Sequence, residues 1–382
     1  MIEDKPKVKT FLEKYGFKIL IFLILLLGII VRIYNVGEMP NALNVDEASS
    51  GYDTFSIMKN GVDRNGNELP VVLYAWGSGQ SVLYTLISIP FVAILGLNEF
   101  SIRIAMAIIG SISLIVIYYL FKNIFENRWI SVIALAFLAI CPWHIMKSRW
   151  GMDCNLFPDL ILIGVLLLVL GIKRKKLIWQ ILSFIVFGIS AYSYATSYLF
   201  LPVFVCAVLI YLVIKKEISI KKAIGYLGIV FVITLPLIIY LIINTFDLQQ
   251  FKLLGLTIPR MKENRYEEIS TIFSGNLFEN CVDNLLSLIR LIFIQNDGLE
   301  WNALPEYGMF YIFSIVFFII GIYAAVKKYN NNQFCQIMNI WMISSIIVAA
   351  FCIININRIN IIMFPCIYYI VLGLYEICKK YK

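Results

Sequence analysis

Residues 17–34 read Phe-Lys-Ile-Leu-Ile-Phe-Leu-Ile-Leu-Leu-Leu-Gly-Ile-Ile-Val-Arg-Ile-Tyr. The run is apolar all round, not on one face, which marks a helix surrounded by lipid. No small-residue cleavage site follows it. Arg32-Ile33-Tyr34-Asn35 stands there instead, so the segment reads as a retained span and not as a signal peptide. The chain then presents Asn44-Val45-Asp46-Glu47-Ala48, two adjacent carboxylates just past a membrane boundary, followed by a long polar loop containing Trp76-Gly77-Ser78-Gly79-Gln80.

The same pattern recurs along the chain. Its 382 residues are 60% hydrophobic, with a mean hydropathy of +0.83. Such a composition excludes a soluble domain and indicates an all-α polytopic membrane protein. The net charge of +8 would point to nucleic acid in a soluble protein. Here the basic residues cluster between apolar runs and read as topology determinants. The clusters are Lys5 to Lys18, Lys173-Arg174-Lys175-Lys176, Lys215-Lys216 with Lys221-Lys222, Lys327-Lys328 and Lys379-Lys380. Placing all of them on the cytoplasmic side predicts ten spans, roughly 17–34, 101–121, 129–146, 156–172, 177–195, 198–214, 223–243, 306–326, 334–354 and 359–378.

Residues 1–16 then form a cytoplasmic segment, residues 17–382 one transmembrane domain, and both termini lie inside. The apolar run Ser81–Leu97, interrupted by Pro90, reads as an interfacial or re-entrant helix, because a crossing there would turn every later basic cluster outward. The external loops are about 35–101, 144–155, 244–305 and 355–358, with a turn near Tyr194–Tyr198. The asymmetry between these and the short basic loops puts the chemistry on the extracytoplasmic side of a plasma membrane. The chain stops soon after its last span, and no soluble domain or internal repeat is evident.

The cysteines lack zinc or CxxC spacing and read as packing residues, with Cys154 and Cys281 both placed outward, where a disulfide is open to them.

Several residues have chemical potential, each with a plainer alternative. Asp46 or Glu47 could serve as a general base. Adjacent helical residues point about 100° apart, which leaves one free to act while the other holds structure. The stretch His144-Ile145-Met146-Lys147-Ser148-Arg149-Trp150-Gly151-Met152-Asp153-Cys154-Asn155 gathers the single histidine, two cations and a carboxylate. Arg149 could hold a phosphate and His144 could donate to one; interfacial anchoring explains the tryptophans and cations equally well. Asp153 is a second candidate acid. A divalent ion on Asp46, His144 and Asp153 is chemically permitted but not required. Tyr194 and Tyr198 could line a groove for a sugar or headgroup, or simply pack. Arg260, in the long loop, and Arg358, in the last outward turn, could bind phosphate or snorkel. The loop also carries Glu263-Asn264-Arg265-Tyr266-Glu267-Glu268 and an amphipathic stretch near Cys281–Ile294 that reads as lying on the membrane.

Taken in order, these features resemble a known group. They are a first span, Asp46-Glu47 in the first external loop, an apolar helix ending Gly96-Leu97-Asn98-Glu99-Phe100-Ser101-Ile102-Arg103, the Ser148-Arg149 loop, and Tyr194–Pro202. The chain resembles the GT-C membrane glycosyltransferases, in particular bacterial relatives of protein O-mannosyltransferases and of lipid A aminoarabinose transferase. The resemblance implies a GT-C-type helix bundle with juxtamembrane helices in the first loop, and Asp46 as catalytic aspartate. It also implies a polyprenyl-phosphate-linked sugar donor and catalysis on the outer face; a single displacement by a hydroxyl of a protein, lipid or glycan acceptor would invert the anomeric carbon, and the loop-bound basic residues leave no nucleic-acid partner. A flippase for a lipid-linked sugar, or a polysaccharide polymerase or ligase, would use a similar groove.

Overall fold

The computed structural model describes residues 7–75, 77–125, 127–263, 270–272, 275–299 and 301–380, with side chains from residue 14 onward. The described residues are mostly helical. α1 (Lys7–Ile33) leads to α2 (Val45–Asn60), a hairpin of β1 (Val72–Ala75) and β2 (Ser78–Ser81), and α3 (Leu83–Leu95). The bundle continues with α4 (Glu99–Ile124), α5 (Arg128–Ile140), α6 (Pro142–Arg149), α7 (Asp153–Lys173), α8 (Leu177–Ser190), α9 (Ser197–Ile214) and α10 (Ile220–Thr245). A second hairpin, β3 (Phe251–Leu253) and β4 (Leu256–Ile258), precedes α11 (Leu277–Ile294). The fold closes with α12 (Ser314–Lys327), α13 (Gln333–Ala350) and α14 (Met363–Lys380).

Seven helices among the described residues are long and apolar enough to cross a membrane, or eight if the bent pair α5–α6 counts as one span. The protein is therefore a multi-pass membrane protein. Two of the ten expected spans, 177–195 and 306–326, correspond to the 14-residue helices α8 and α12. At about 1.5 Å per residue, 14 residues reach only ~21 Å, short of a hydrocarbon core of ~30 Å. α3 is likewise a short apolar helix.

The outer surface carries the apolar side chains that a lipid-facing bundle requires. Phe22, Leu23 and Leu27 of α1 and Phe231 and Val232 of α10 are exposed. α11 begins a turn earlier than the expected amphipathic stretch. Its Leu288 and Leu291 pack inward, and Asn284 donates to the Ala350 carbonyl of α13. Phe278, Val282, Leu286, Ile289 and Phe293 form an exposed apolar stripe on its other side.

The break between α5 and α6 turns the chain by 55°. Pro142 opens α6 and has no N–H to offer the Leu138 carbonyl. Arg32 of α1 compensates, donating to Leu138 O at 2.8 Å and Ala139 O at 3.2 Å. α12 and α14 approach most closely at two glycines: a Cβ on Gly321 would lie 1.8 Å from the Tyr369 carbonyl oxygen, and one on Gly373 2.0 Å from that of Phe317. Because lipid replaces water, this contact is held by close packing and not by hydrophobic expulsion. Gly321→Ala is expected to destabilise the bundle by about 1–3 kcal/mol, since backbone must shift to admit the methyl group. Gly225→Ala, with open space around it, serves as control and should unfold no earlier than wild type on thermal denaturation in detergent.

Candidate functional site

At the end of the bundle where α1 finishes and α7 begins, a cavity of about 940 Å³ opens. Asn44, Asp46, Trp150, Tyr194, Glu263, Trp301 and Arg358 all line it. It gathers one residue group from each expected external segment, which the sequence places hundreds of residues apart.

Asp46 owes its position to helix capping. Asn44 is the N-cap of α2, its side chain accepting from the Asp46 N–H at 2.9 Å, and Glu47 completes a capping box by accepting the Asn44 N–H at 3.0 Å. The first turn of α2 is thereby fixed, and Asp46 stands half-buried at its positive end, where the helix dipole favours a carboxylate. Gln80 of β2 donates to the Asp46 carbonyl at 3.3 Å.

Glu47, one residue on, points into the protein. Its carboxylate takes two bonds from Arg103, at 3.0 and 2.9 Å, and a third from the Gly151 N–H at 2.6 Å, besides the capping bond. Both Glu47 and Arg103 are fully buried. Arg103 also donates to Pro40 O at 2.8 Å and Ala42 O at 2.6 Å, and lies 5.1 Å from the centroid of the Trp150 ring. The pair thus binds the 36–42 loop, α2, α4 and the wall of the cavity. Every lone-pair direction of Glu47 is engaged, so the acidic pair divides into a cavity-lining Asp46 and a structural Glu47.

Asp153 starts α7 and is almost fully buried. Its oxygens accept the Ser81 N–H at 3.1 Å and its neighbour Cys154 N–H at 2.7 Å. Gln80 and Ser81 therefore hold Asp46 and Asp153 from adjacent positions of β2.

The expected loop 144–155 is largely helical, as α6 and the start of α7. This moves two of its candidates away from the cavity. His144 is buried: Arg32 donates to its Nδ1 at 2.7 Å, and its Nε2 lies 3.4 Å from Asp159 Oδ1. Arginine can only donate, so His144 is the neutral tautomer with its proton on Nε2. Lys147 pairs with Asp159 and donates to Asn155 O at 3.0 Å; Ser113 donates to Asp159 at 2.7 Å. These groups form one buried polar network joining α1, α4, α6 and α7. Arg149 is also spoken for. It donates to Val31 O at 2.8 Å and Met39 O at 2.9 Å, with longer bonds to Arg32 O and Asn35 O, and so caps the carbonyl end of α1. A cation on Asp46, His144 and Asp153 finds no support, since His144 is committed elsewhere and no group of three possible ligands occurs among the described residues.

Tyr194 lines the cavity, whereas Tyr198 lies in an apolar crevice between α9 and α10. Arg260 is on the surface, ion-paired with Asp247. Arg358 does line the cavity, in a turn set by its N–H donating to Asn355 Oδ1 at 2.8 Å. The long loop supplies Glu263, whose N–H donates to Gly77 O at 3.0 Å, and Trp301. Asp297 ties that loop to the last turn, accepting from Asn302 at 2.7 Å and from the Ile356 N–H at 2.8 Å. Cys154 and Cys281 are both free thiols. Trp76 and residues 264–268 lie outside the described residues.

The bundle of apolar helices, with a first loop carrying juxtamembrane helices, has a GT-C-type fold. Residues 81–245 match the family model described as dolichyl-phosphate-mannose-protein mannosyltransferase. The fold is similar to that of archaeal oligosaccharyltransferase AglB from Archaeoglobus fulgidus, solved with an inhibitory peptide and a dolichol-phosphate. The TM-score is 0.61 at 13% identity, over 97% of this chain and 51% of that one. It is also similar to ArnT from Cupriavidus metallidurans, solved bound to undecaprenyl phosphate, with a TM-score of 0.59 at 14% identity, over 94% of this chain and 60% of that one. In sequence, "Putative mannosyltransferase YycA" of Bacillus subtilis (strain 168) is 28% identical over 138 residues, covering 36% of this chain and 19% of the relative. The chain thus spans about half the length of the archaeal enzyme and a smaller part of the curated relative.

Two residues that organise the site carry no assigned role in the sequence reading: Arg103 and Asp159. The Asn44-x-x-Glu47 spacing was the available signal for the first, because a capping box commits Glu47 before any fold is known.

Proposed function

We propose that the chain moves a sugar from a polyprenyl-phosphate donor to an acceptor hydroxyl, with Asp46 as general base. The observation that carries this reading is that Asp46 and Arg358 line one cavity at the end of a lipid-embedded bundle. The positive-inside pattern supports an extracytoplasmic position for that end. The donor's isoprenoid chain stays in the bilayer and its headgroup enters the cavity. The acceptor oxygen attacks the anomeric carbon as Asp46 takes its proton. The bond from that carbon to the phosphate oxygen breaks, and its electron pair leaves with the lipid phosphate. Arg358 stabilises the charge that develops there. A single displacement inverts the anomeric carbon. Glu47 and Arg103 hold the loop that presents Asp46, and Asp153 fixes β2 beside it. The match to the mannosyltransferase family model and the lipid phosphates bound by the two solved relatives support the donor class.

The test is release of free polyprenyl phosphate by the purified protein in lipid vesicles, given a panel of polyprenyl-phosphate sugars and a crude cell-envelope acceptor. Wild type should release it from at least one donor. Arg358→Gln should raise the donor KM about tenfold, the cost of one charge-assisted bond. Silence from every donor, with lipid scrambling by the same vesicles, would identify a flippase instead.

A further inference from the structure

At the opposite end of the bundle, where α4, α7 and α9 finish and α13 begins, lies another cavity, of about 650 Å³. Its lining includes Lys173 of α7, Lys215 and Glu217 just past α9, and Asn331 and Gln333 beside the start of α13. This end carries the basic clusters, so the cavity stands at the level of lipid headgroups and not of the hydrocarbon.

Its walls are fixed by local structure. Asn332 is the N-cap of α13, accepting the Phe334 N–H at 2.9 Å, and its amide donates to the Ile124 carbonyl at 2.9 Å, which ties α13 to the end of α4. Lys173 donates to the Asn123 carbonyl at 2.9 Å and closes α7 onto the same helix. α9 ends in a tight cap: Lys216 has a φ of 60°, and the Glu217 N–H donates to the Leu212 carbonyl at 3.0 Å. That cap sets Lys215 and Glu217 in the cavity wall.

The polar groups so placed are not spent on one another. The Lys215 ammonium stands 5.9 Å from the centroid of the Tyr211 ring. Like the Glu217 carboxylate and the side-chain amides of Asn331 and Gln333, it bonds to no described residue. Lys328, at the same end, is by contrast paired with Glu376. Two lysines less one glutamate leave a single positive charge among the described lining residues, which one phosphodiester neutralises. The carboxylate and the two amides remain to meet hydroxyl groups. Ile210 and Ile214 of α9, just before Lys215, are exposed apolar residues. A hydrocarbon chain lying along them brings its headgroup to the cavity. Basic pockets between helix ends at this membrane level suit anionic lipid heads.

We infer that the cavity binds the headgroup of an anionic glycerophospholipid of the phosphatidylglycerol class, drawn from the leaflet at the basic end of the bundle. Lys173 and Lys215 hold its phosphate, and Glu217, Asn331 and Gln333 its glycerol hydroxyls. Lys175 and Lys216 carry the same charge in the caps of the same two helices but do not line the cavity. The site is independent of the function proposed above.

The experiment is native mass spectrometry of the full chain, delipidated in a neutral detergent and titrated with phosphatidylglycerol or phosphatidylcholine. Wild type should retain phosphatidylglycerol in preference to phosphatidylcholine. Lys173→Gln with Lys215→Gln should weaken that binding at least about tenfold, whereas Lys175→Gln with Lys216→Gln, which removes the same charge, should change it less than about threefold. Excess glycerol phosphate should leave the lipid bound. All of these lysines are exposed, so the lipid-free variants should unfold at the wild-type temperature. If the first pair unfolds earlier, Lys215→Gln alone carries the test, because its ammonium has no bond to lose. Equal retention of the two lipids, an equal effect of the two double variants, or displacement by glycerol phosphate, which would mark a site for a soluble phosphate, would overturn the inference.

Discussion

Asp46→Asn is expected to lower turnover by roughly 10²–10⁴-fold while leaving the fold intact. An amide of the same shape cannot accept the acceptor's proton. Two of the bonds that residue 46 makes use its backbone: its N–H is held by Asn44 and its carbonyl by Gln80. Those bonds persist in the variant. The rate of polyprenyl phosphate release in vesicles, measured beside thermal unfolding, separates chemistry from folding. A loss smaller than about tenfold, with unfolding unchanged, would remove Asp46 from the role of base and leave the cavity as a binding site alone.

Arg103→Met should be the most damaging substitution for stability, at about 3–5 kcal/mol. It strands the Glu47 carboxylate in a fully buried position and leaves the Pro40 and Ala42 carbonyls without their donor. The apparent unfolding temperature should fall, and limited proteolysis should open the 36–42 segment first. The double variant Glu47→Gln with Arg103→Met should recover part of the loss, because no uncompensated charge remains. If the single variant unfolds like wild type, the pair does not organise the first loop, and the account of how Asp46 is presented fails with it.

The two predictions concern neighbouring residues whose difference was only half legible beforehand. Adjacency on a helix shows that Asp46 and Glu47 diverge, and the capping-box spacing indicates which of them is committed to local structure. It does not reveal Arg103, because the partner is 56 residues away. His144, Lys147 and Arg149 teach the opposite lesson. Their grouping beside tryptophans looks like a polar loop at the membrane surface. Pro142 instead restarts a helix there, and the helix carries His144 and Lys147 into a network closed by Asp159 and Arg32. Arg149 turns to the carbonyl end of α1. Each of the three found an internal partner that sequence spacing cannot display.

Hydropathy by itself determined that this is a multi-pass helical membrane protein, because lipid admits few backbone solutions and each needs a long apolar run. Short-range grammar, through the apolar run at Pro90, indicated the short helix α3, whereas α2 lies in what reads as a polar loop. The tertiary structure alone decided which charged residues meet. Glu47 was drawn to Arg103, Lys147 to Asp159, and Arg358 to the cavity of Asp46. The reason is physical: a buried charge must find a partner wherever the fold brings one within ~3 Å. That distance depends on how the helices pack, and packing is a property of the whole chain.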